Sequence, residues 1–278
     1  MKTLYHLLLI LALLSVTNIA AFGQQKTFYH LFRPVPGDSL RDMETDRPDV
    51  TESPQTVDAG HFQFETDLVR FQRENGNAGR SDEYLFNQAN IKLGLTNSTA
   101  IQLTFESFVV KKDFNTESSF DRNIGFGDLT LRLKQNLLGN DKGKFAIALL
   151  PYLKFPTSHA DKESQYEGGI IIPMSIKFGN DWKLGFQVEA DRLQDEEGAG
   201  HHDQILQTLT ISRSLTKKLD GIIETYYTYE FKDNHLKNFL NAALQYELYK
   251  DLLIDGGLNY GVQHDARKSY FVGLSFRL

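Results

Sequence analysis

The chain has no cysteine among its 278 residues, so no disulfide staples it and its fold rests on hydrogen bonds and packing alone. Basic charge is scarce too: 30 Lys and Arg stand against 36 Asp and Glu, a formal net charge of -6. With no basic cluster to offset that balance, a nucleic-acid partner is excluded. No G-x-S-x-G elbow of a hydrolase is present. Beyond the first residues there is no apolar run of the roughly 20 residues that a membrane-crossing helix needs. If this chain crosses a membrane, it does so as strands.

The one long apolar run is at the start. Lys2 precedes Leu7 to Leu14, and the small residues Ala20, Ala21 and Gly23 follow. A basic start, an apolar middle and a small-residue end read as a secretory signal peptide over 1–23, cut after Gly23. A membrane anchor is the alternative, and the run is short for it. No cysteine follows to carry a lipid. From Gln24 to Gly60 the chain is polar, interrupted by Pro34, Pro36, Pro48 and Pro54, and without a period. This predicts an irregular N-terminal segment, periplasmic if the protein is exported.

From His61 to Leu278 the pattern is alternation with period two. Leu240, Ala242, Leu244, Tyr246 and Leu248 alternate with Asn241, Gln245 and Glu247. Trp182, Leu184, Phe186, Val188 and Ala190 alternate with Lys183, Gln187, Glu189 and Asp191, and Ile254, Leu258 and Tyr260 with Asp255 and Asn259. The pattern predicts strands near Phe62–Phe71, Tyr84–Leu95, Ile101–Val110, Gly125–Gln135, Phe145–Phe155 and Gly168–Phe178. Six more follow near Trp182–Leu193, Gln204–Arg213, Gly221–Phe231, Phe239–Tyr249, Leu252–His264 and Ser269–Leu278. Faces cannot be assigned around Val69–Arg73, Ile124–Asp128 and Ile170–Ile172. About twelve strands of roughly 9 to 11 residues suit a transmembrane antiparallel up-and-down β-barrel, an all-β fold filling 61–278. Tight connections at 96–99, 139–143, 179–181, 216–219 and 250–251 alternate with longer, charged ones such as 112–123, 157–165 and 195–202. Tight turns belong on the periplasmic side of an outer-membrane barrel. A soluble exported β-sandwich is the fold-level alternative.

This topology puts Phe62, Phe145, Phe178, Trp182 and Phe276 in an aromatic girdle at the periplasmic interface, with Phe155, Tyr229, Phe231 and Tyr270 at the opposite one. The expected lumen-lining set is Glu65, Lys92, Glu106, Asp128, Arg132, Lys134, Tyr152, Lys177, Glu189, Glu224, Tyr226, Glu230, Glu247, Asp255 and Arg277. Both signs are present, so opposite charges pair across the interior, which argues against strong ion selectivity. Phe86, Phe108, Tyr249 and Phe271 are further inward candidates, as stacking surfaces for a small aromatic solute or as lumen filler.

The run Thr45, Asp46, Arg47, Pro48, Asp49, Val50, Thr51, Glu52, Ser53, Pro54, followed by Gly60, Phe62, Gln63 and Glu65, resembles the start of the family of a MetA pathway of phenol degradation. Pro151 to Thr157 is similar to that family as well. The resemblance extends from Thr45 to the C-terminus and implies an outer-membrane barrel assigned to transport. It does not name the solute. The last strand resembles the assembly signal of such barrels, with Phe276 as its aromatic and Leu278 at the end. The implied partners are outer-membrane lipid of a Gram-negative bacterium, the barrel assembly machinery and a small-molecule solute.

Three other chemistries compete. Asp46, Asp49 and Glu52 around Arg47 suggest a cation site, although a Pro-stiffened segment pinned by Arg47 to its own acidic neighbours, or entering the barrel as a partial plug, is the simpler expectation. His201 and His202 near Asp203, Glu196 and Glu197 have metal-ligand character, but a charged loop is more often solvated, so no metal and no cofactor is expected. Ser158 beside His159 is the obvious pair for a lipid hydrolase, yet neighbours on a loop do not form a catalytic dyad. The leading expectation is therefore a passive, non-enzymatic channel. A closed barrel acting through its outer loops is the second.

Overall fold

The computed structural model describes residues 27–278 except 77–78, 116–119, 161–163, 180 and 196–199. The signal-peptide reading, with Glu196 and Glu197, lies outside the described residues. The strands are β1 (Phe62–Gly76), β2 (Gly79–Gly94), β3 (Thr99–Asn115), β4 (Phe120–Gly125), β5 (Leu129–Leu138), β6 (Phe145–Phe155) and β7 (Glu167–Phe178). They continue as β8 (Trp182–Gln194), β9 (His201–Ser214), β10 (Leu219–Glu230), β11 (His235–Tyr249), β12 (Leu252–Gly261) and β13 (Lys268–Arg277). Each pairs antiparallel with its chain neighbour, and β1 also pairs with β13 from Gln63↔Arg277 to Arg73↔Lys268, which closes the ring. Short β4 and β5 pair with successive parts of β3 and are one stave interrupted at Phe126–Asp128, so the barrel has twelve staves. That interruption falls where the alternation in the sequence is weakest. No described helix is long and apolar enough to cross a membrane, and in a barrel the strands do that.

The interior is the reverse of a soluble core. The largest fully buried side chains include Lys134, Gln63, Gln102, Gln187, Glu65 and Glu224. Large apolar groups stand outward, with Ile223 64%, Leu240 54% and Leu244 52% exposed. A polar inside and an apolar outside is what alternation produces when hydrocarbon is the outer solvent.

Two differences from the sequence-based expectation share one cause. β1, β2 and β3 run to 15, 16 and 17 residues, beyond the roughly 9 to 11 a barrel strand needs to cross, so the loops expected at 72–83 and 112–123 are largely strand. They run long past an irregularity. β1 carries a bulge against β13 between Asp67 and Val69, and Asn87 beside it in β2 has φ 52°. The inward parity shifts there: Gln88 and Glu106 bond to each other on the inside, and three residues on, Leu85 and Val109 are buried, 1% and 3% exposed. Phe86 and Phe108, expected inside, are therefore turned outward, 37% and 45% exposed, with ring centroids 6.0 Å apart. Thr66, Asn87 and Ser107 bond to one another at the shift. Tyr249, also expected inside, is 72% exposed because a second bulge falls between Glu247 and Tyr249, beside the 250–251 turn.

Candidate functional site

The N-terminal segment is irregular as its prolines require, but it does not hang below the barrel. It enters the lumen as a loop, rising from Asp42 and returning by Asp58, and both of its legs are tied at the rim that carries the tight turns.

The rim is the root of this loop. Leu31 donates its amide to Leu95 (2.9 Å), Val35 to Ala59 (3.0 Å) and Gly60 to Gly94 (2.8 Å). Gly94 has to be glycine, since a Cβ there would come within 2.0 Å of the Asp58 carbonyl oxygen. Arg41 reaches the Asp58 carboxylate at 2.7 Å and the Thr56 carbonyl at 2.9 Å. Arg277 meets Asp58 at 3.2 Å and Asp251 at 2.6 Å. Asn140 donates to Thr56 Oγ1 at 2.8 Å, and Asn136 to the Pro54 carbonyl at 2.8 Å.

Above the root, carboxylates of the loop meet cations of the wall. Glu44 takes Lys183 at 2.5 Å and Lys177 at 2.9 Å. Burial raises the Glu44 carboxyl, and Lys183 and Lys177 outweigh that and hold it at about 2. Asp46 sits between Lys92 (2.5 Å) and Lys134 (2.6 Å), while Lys92 also bonds Glu65. Glu52 is paired with Arg132. Of the three carboxylates considered for a cation site, Asp46 and Glu52 are thus taken by the barrel's own lysines and arginine, and Asp49 lies apart from them at the tip beside Glu224. Arg47 does not pair with its acidic neighbours in sequence either. Its guanidinium reaches Asp67 and Asp255, each at 2.6 Å. Asp67 and Asp255 both register with Gly273, so the three lie side by side across β1, β13 and β12. A Cβ on Gly273 would come within 1.9 Å of Arg47 Nη2, so the missing side chain is what admits the guanidinium.

The tip of the loop is held differently. The amides of Val50 and Thr51 donate to Glu224 at 2.9 and 2.8 Å, Thr51 Oγ1 meets Thr208 Oγ1 at 2.6 Å, and the Glu52 amide donates to Gln187 at 2.8 Å. Burial first, and the Glu224 carboxylate second, push the Asp49 carboxyl up to about 8.

Beside the loop there is open space. A cavity of about 650 Å³ runs between it and the β7–β10 wall, lined by Glu44, Lys183, Ser212 and Thr210 and ending against Asp49, Thr51 and Gly185. A second, of about 340 Å³, opens at the root around Arg41, Asp58, Asn140 and Arg277.

On the far side of the tip, Phe271 lies under the guanidinium of Arg70, 4.6 Å from its ring centroid, with Arg47 at 5.6 Å. Tyr226 stacks on Phe239 at 4.3 Å and 8°, and Asn259 donates to the Tyr226 hydroxyl at 2.6 Å. Across the lumen Tyr152 donates to Asp191 at 2.7 Å and Gln187 to Glu189 at 2.8 Å. Asp128 is at the stave break, accepting the amides of Thr157 and Ser158. Glu230 is 4.0 Å from His202 near the outer loops, and Glu247 is half-buried near the root end.

Among the expected girdle residues, Phe178 and Trp182 stack at 6.3 Å and Phe64 joins Phe276 at 5.3 Å, while Phe62 and Phe145 are 49% and 40% exposed. At the other end of the strands Phe155 meets Tyr166 at 5.9 Å and Tyr229 meets Phe231 at 5.1 Å, and Tyr270 is exposed. His201 meets the Tyr166 carbonyl and His202 meets Asp195, and no group of three or more His, Asp or Glu placed to hold a metal ion occurs among the described residues. The Ser158 hydroxyl donates to the Phe126 carbonyl at 3.0 Å.

Sequence reasoning missed Asp67, although it keeps the alternation with Glu65, and missed Arg70 because the bulge between Asp67 and Val69 shifts the inward parity. It also missed Arg41, Glu44 and Asp58, which carry no local signature.

Residues 45–278 match the family described as "Putative MetA-pathway of phenol degradation". The chain belongs to that family. Comparison with curated proteins returned no match. Among solved structures the NanC porin is similar, at 12% identity and a TM-score of 0.51, covering 77% of this chain and 100% of the porin. The KdgM porin, at 11% identity and 0.44, covers 75% of this chain and 97% of its own, and the CymD monoaromatic hydrocarbon channel, at 7% and 0.44, covers 78% and 87%. At such identities the NanC likeness establishes the fold alone. This member of the phenol-degradation family has the fold of an outer-membrane porin.

Proposed function

We propose that this protein is a passive outer-membrane channel for small solutes, aromatic or amphipathic ones among them, with a lumen narrowed by its own N-terminal loop. The observation that carries the reading is the pairing of a closed ring, apolar outside and charged inside, with a cavity of about 650 Å³ that runs beside the loop from the tight-turn rim up to the loop's tip. Phe62, Phe145, Phe178, Trp182 and Phe276 then form the periplasmic girdle, which places the root of the loop in the periplasm. The lumen charges are largely paired, which suits uncharged or zwitterionic solutes better than ions of one sign. The half-buried Tyr226 ring, backed by Phe239, is the surface on which a solute ring can rest.

A closed barrel acting through its outer loops has one observation in its favour, the density of bonds that seat the loop. Liposome swelling separates the two, with arabinose and phenylalanine as probes. The channel predicts swelling with the intact protein and faster swelling when residues 42–52 are replaced by a short Gly-Ser link. No swelling from either protein would discard the channel and favour the closed barrel.

A further inference from the structure

Above Glu44, which pairs with Lys183 and Lys177 of the β7–β8 wall, the loop's two sides are fastened by different chemistry. Towards β1, β2, β5 and β12 it is held by ion pairs: Asp46 to Lys92 and Lys134, Arg47 to Asp67 and Asp255, Glu52 to Arg132. Towards β8, β9 and β10 its tip is held by hydrogen bonds to Gln187, Thr208 and Glu224. The large cavity lies on that second side and stops at these contacts. Gly185 sharpens the point. It offers no side chain to the cavity end, and a Cβ there would lie 2.4 Å from Thr210 and 3.1 Å from Thr51.

Withdrawing the whole loop would break both tied legs and all the ion pairs together. Freeing the tip on the β8–β10 side breaks only the hydrogen bonds there. It would also move the Asp49 carboxyl away from the Glu224 carboxylate, which disfavours charge on Asp49. We propose that solute passes between the tip and the β8–β10 wall, that Thr51, Gln187, Thr208 and Glu224 form its gate, and that the root stays in place while the gate opens. When the gate opens, Glu224 loses two amide donors and the Thr51 hydroxyl, and Thr208 loses its contact with that same hydroxyl. The solute favoured there is one that gives hydrogen bonds back, an uncharged hydroxyl-bearing molecule. This rests on the channel reading.

The absence of native cysteine makes the test clean. Thr51→Cys with Thr208→Cys joins side chains whose oxygens touch at 2.6 Å, and Thr56→Cys with Asn140→Cys ties the root. Both pairs are compared with the parent in arabinose swelling, oxidised and then reduced, after folding is verified by heat-modifiable gel mobility. The expected result is loss of swelling for the oxidised tip pair, recovery on reduction, and parental swelling for the root pair in both states. A root pair that blocks until reduced would mean that the whole loop must leave. A tip pair that swells like the parent while oxidised would place the path elsewhere. A parent that passes no arabinose overturns the channel reading itself, and this path with it.

Discussion

The two faces of the same strands obey opposite rules. Outside, along β11 and β12, Leu240, Leu244, Ile254 and Leu258 are exposed, from 54% down to 37%. Inside, at the intervening positions, Asn241 and Asp255 are buried and bonded, Asn241 to Glu224 and Asp255 to Arg47. Two solvents explain the pair. Hydrocarbon takes the outer face without demanding any bond, whereas each charge withdrawn from water inside must find its counter-charge within the chain. The N-terminal loop meets that demand, since it carries the carboxylates and the arginine that the wall's lysines and aspartates need.

The strongest way to break this comparison is inside. Arg47→Ala leaves Asp67 and Asp255 buried with their shared partner gone, and is expected to cost about 3–5 kcal/mol. Protease sensitivity of the loop and a lower unfolding midpoint in denaturant are the readouts, and an unchanged midpoint would mean the loop is not seated by this pair. Outside, Leu244→Arg puts a charge in lipid at an expected cost of about 2–4 kcal/mol near the bilayer midplane. The neighbouring inward change Gln245→Arg, in contact with Thr45, should cost much less, and equal effects at 244 and 245 would erase the difference between the faces.

A finer test concerns the tip. A carboxyl whose folded value is raised contributes stability that is full below its ordinary value and is lost as pH rises through the raised one. For Asp49 that window runs from 3.8 up to about 8. Tip docking should weaken across that range in the parent, followed by protection of residues 49–52 from hydrogen exchange, and Asp49→Asn should flatten the dependence. The smallest effect belongs to the girdle: Phe178→Ala removes the stack on Trp182, worth about 1 kcal/mol, and should move the unfolding midpoint only slightly.

How much of this could be read from the chain follows from the range of the forces involved. Alternation is local, so β8, β11 and β12 are visible in the sequence, and so are the tight turns, where Gly139 and Gly179 at φ 80° and 59° and Asp251 at 62° reverse the chain. The parity shift at Asp67–Val69, Asn87 and Ser107 is not visible, because a bulge is set by three strands agreeing, and it carried Phe86 and Phe108 to the wrong face. The loop's place in the lumen is the least legible feature. Arg47 and Asp255 are 208 positions apart, and nothing near either one announces the other. The family motif marked Asp46, Arg47 and Glu52 as special, but only the ring's closure shows what they touch.

The account depends most on which solvent each face of a strand meets, and β12 reports it directly. Single cysteines at Ile254, Asp255, Leu258 and Asn259 in reconstituted protein can be challenged in turn with a membrane-soluble and a membrane-impermeant maleimide. The account predicts that 254 and 258 react with the membrane-soluble reagent alone, and that 255 and 259 are shielded from lipid, gaining reactivity with the impermeant one once Arg47 and the loop are removed. Equal labelling of all four by the impermeant reagent would contradict it.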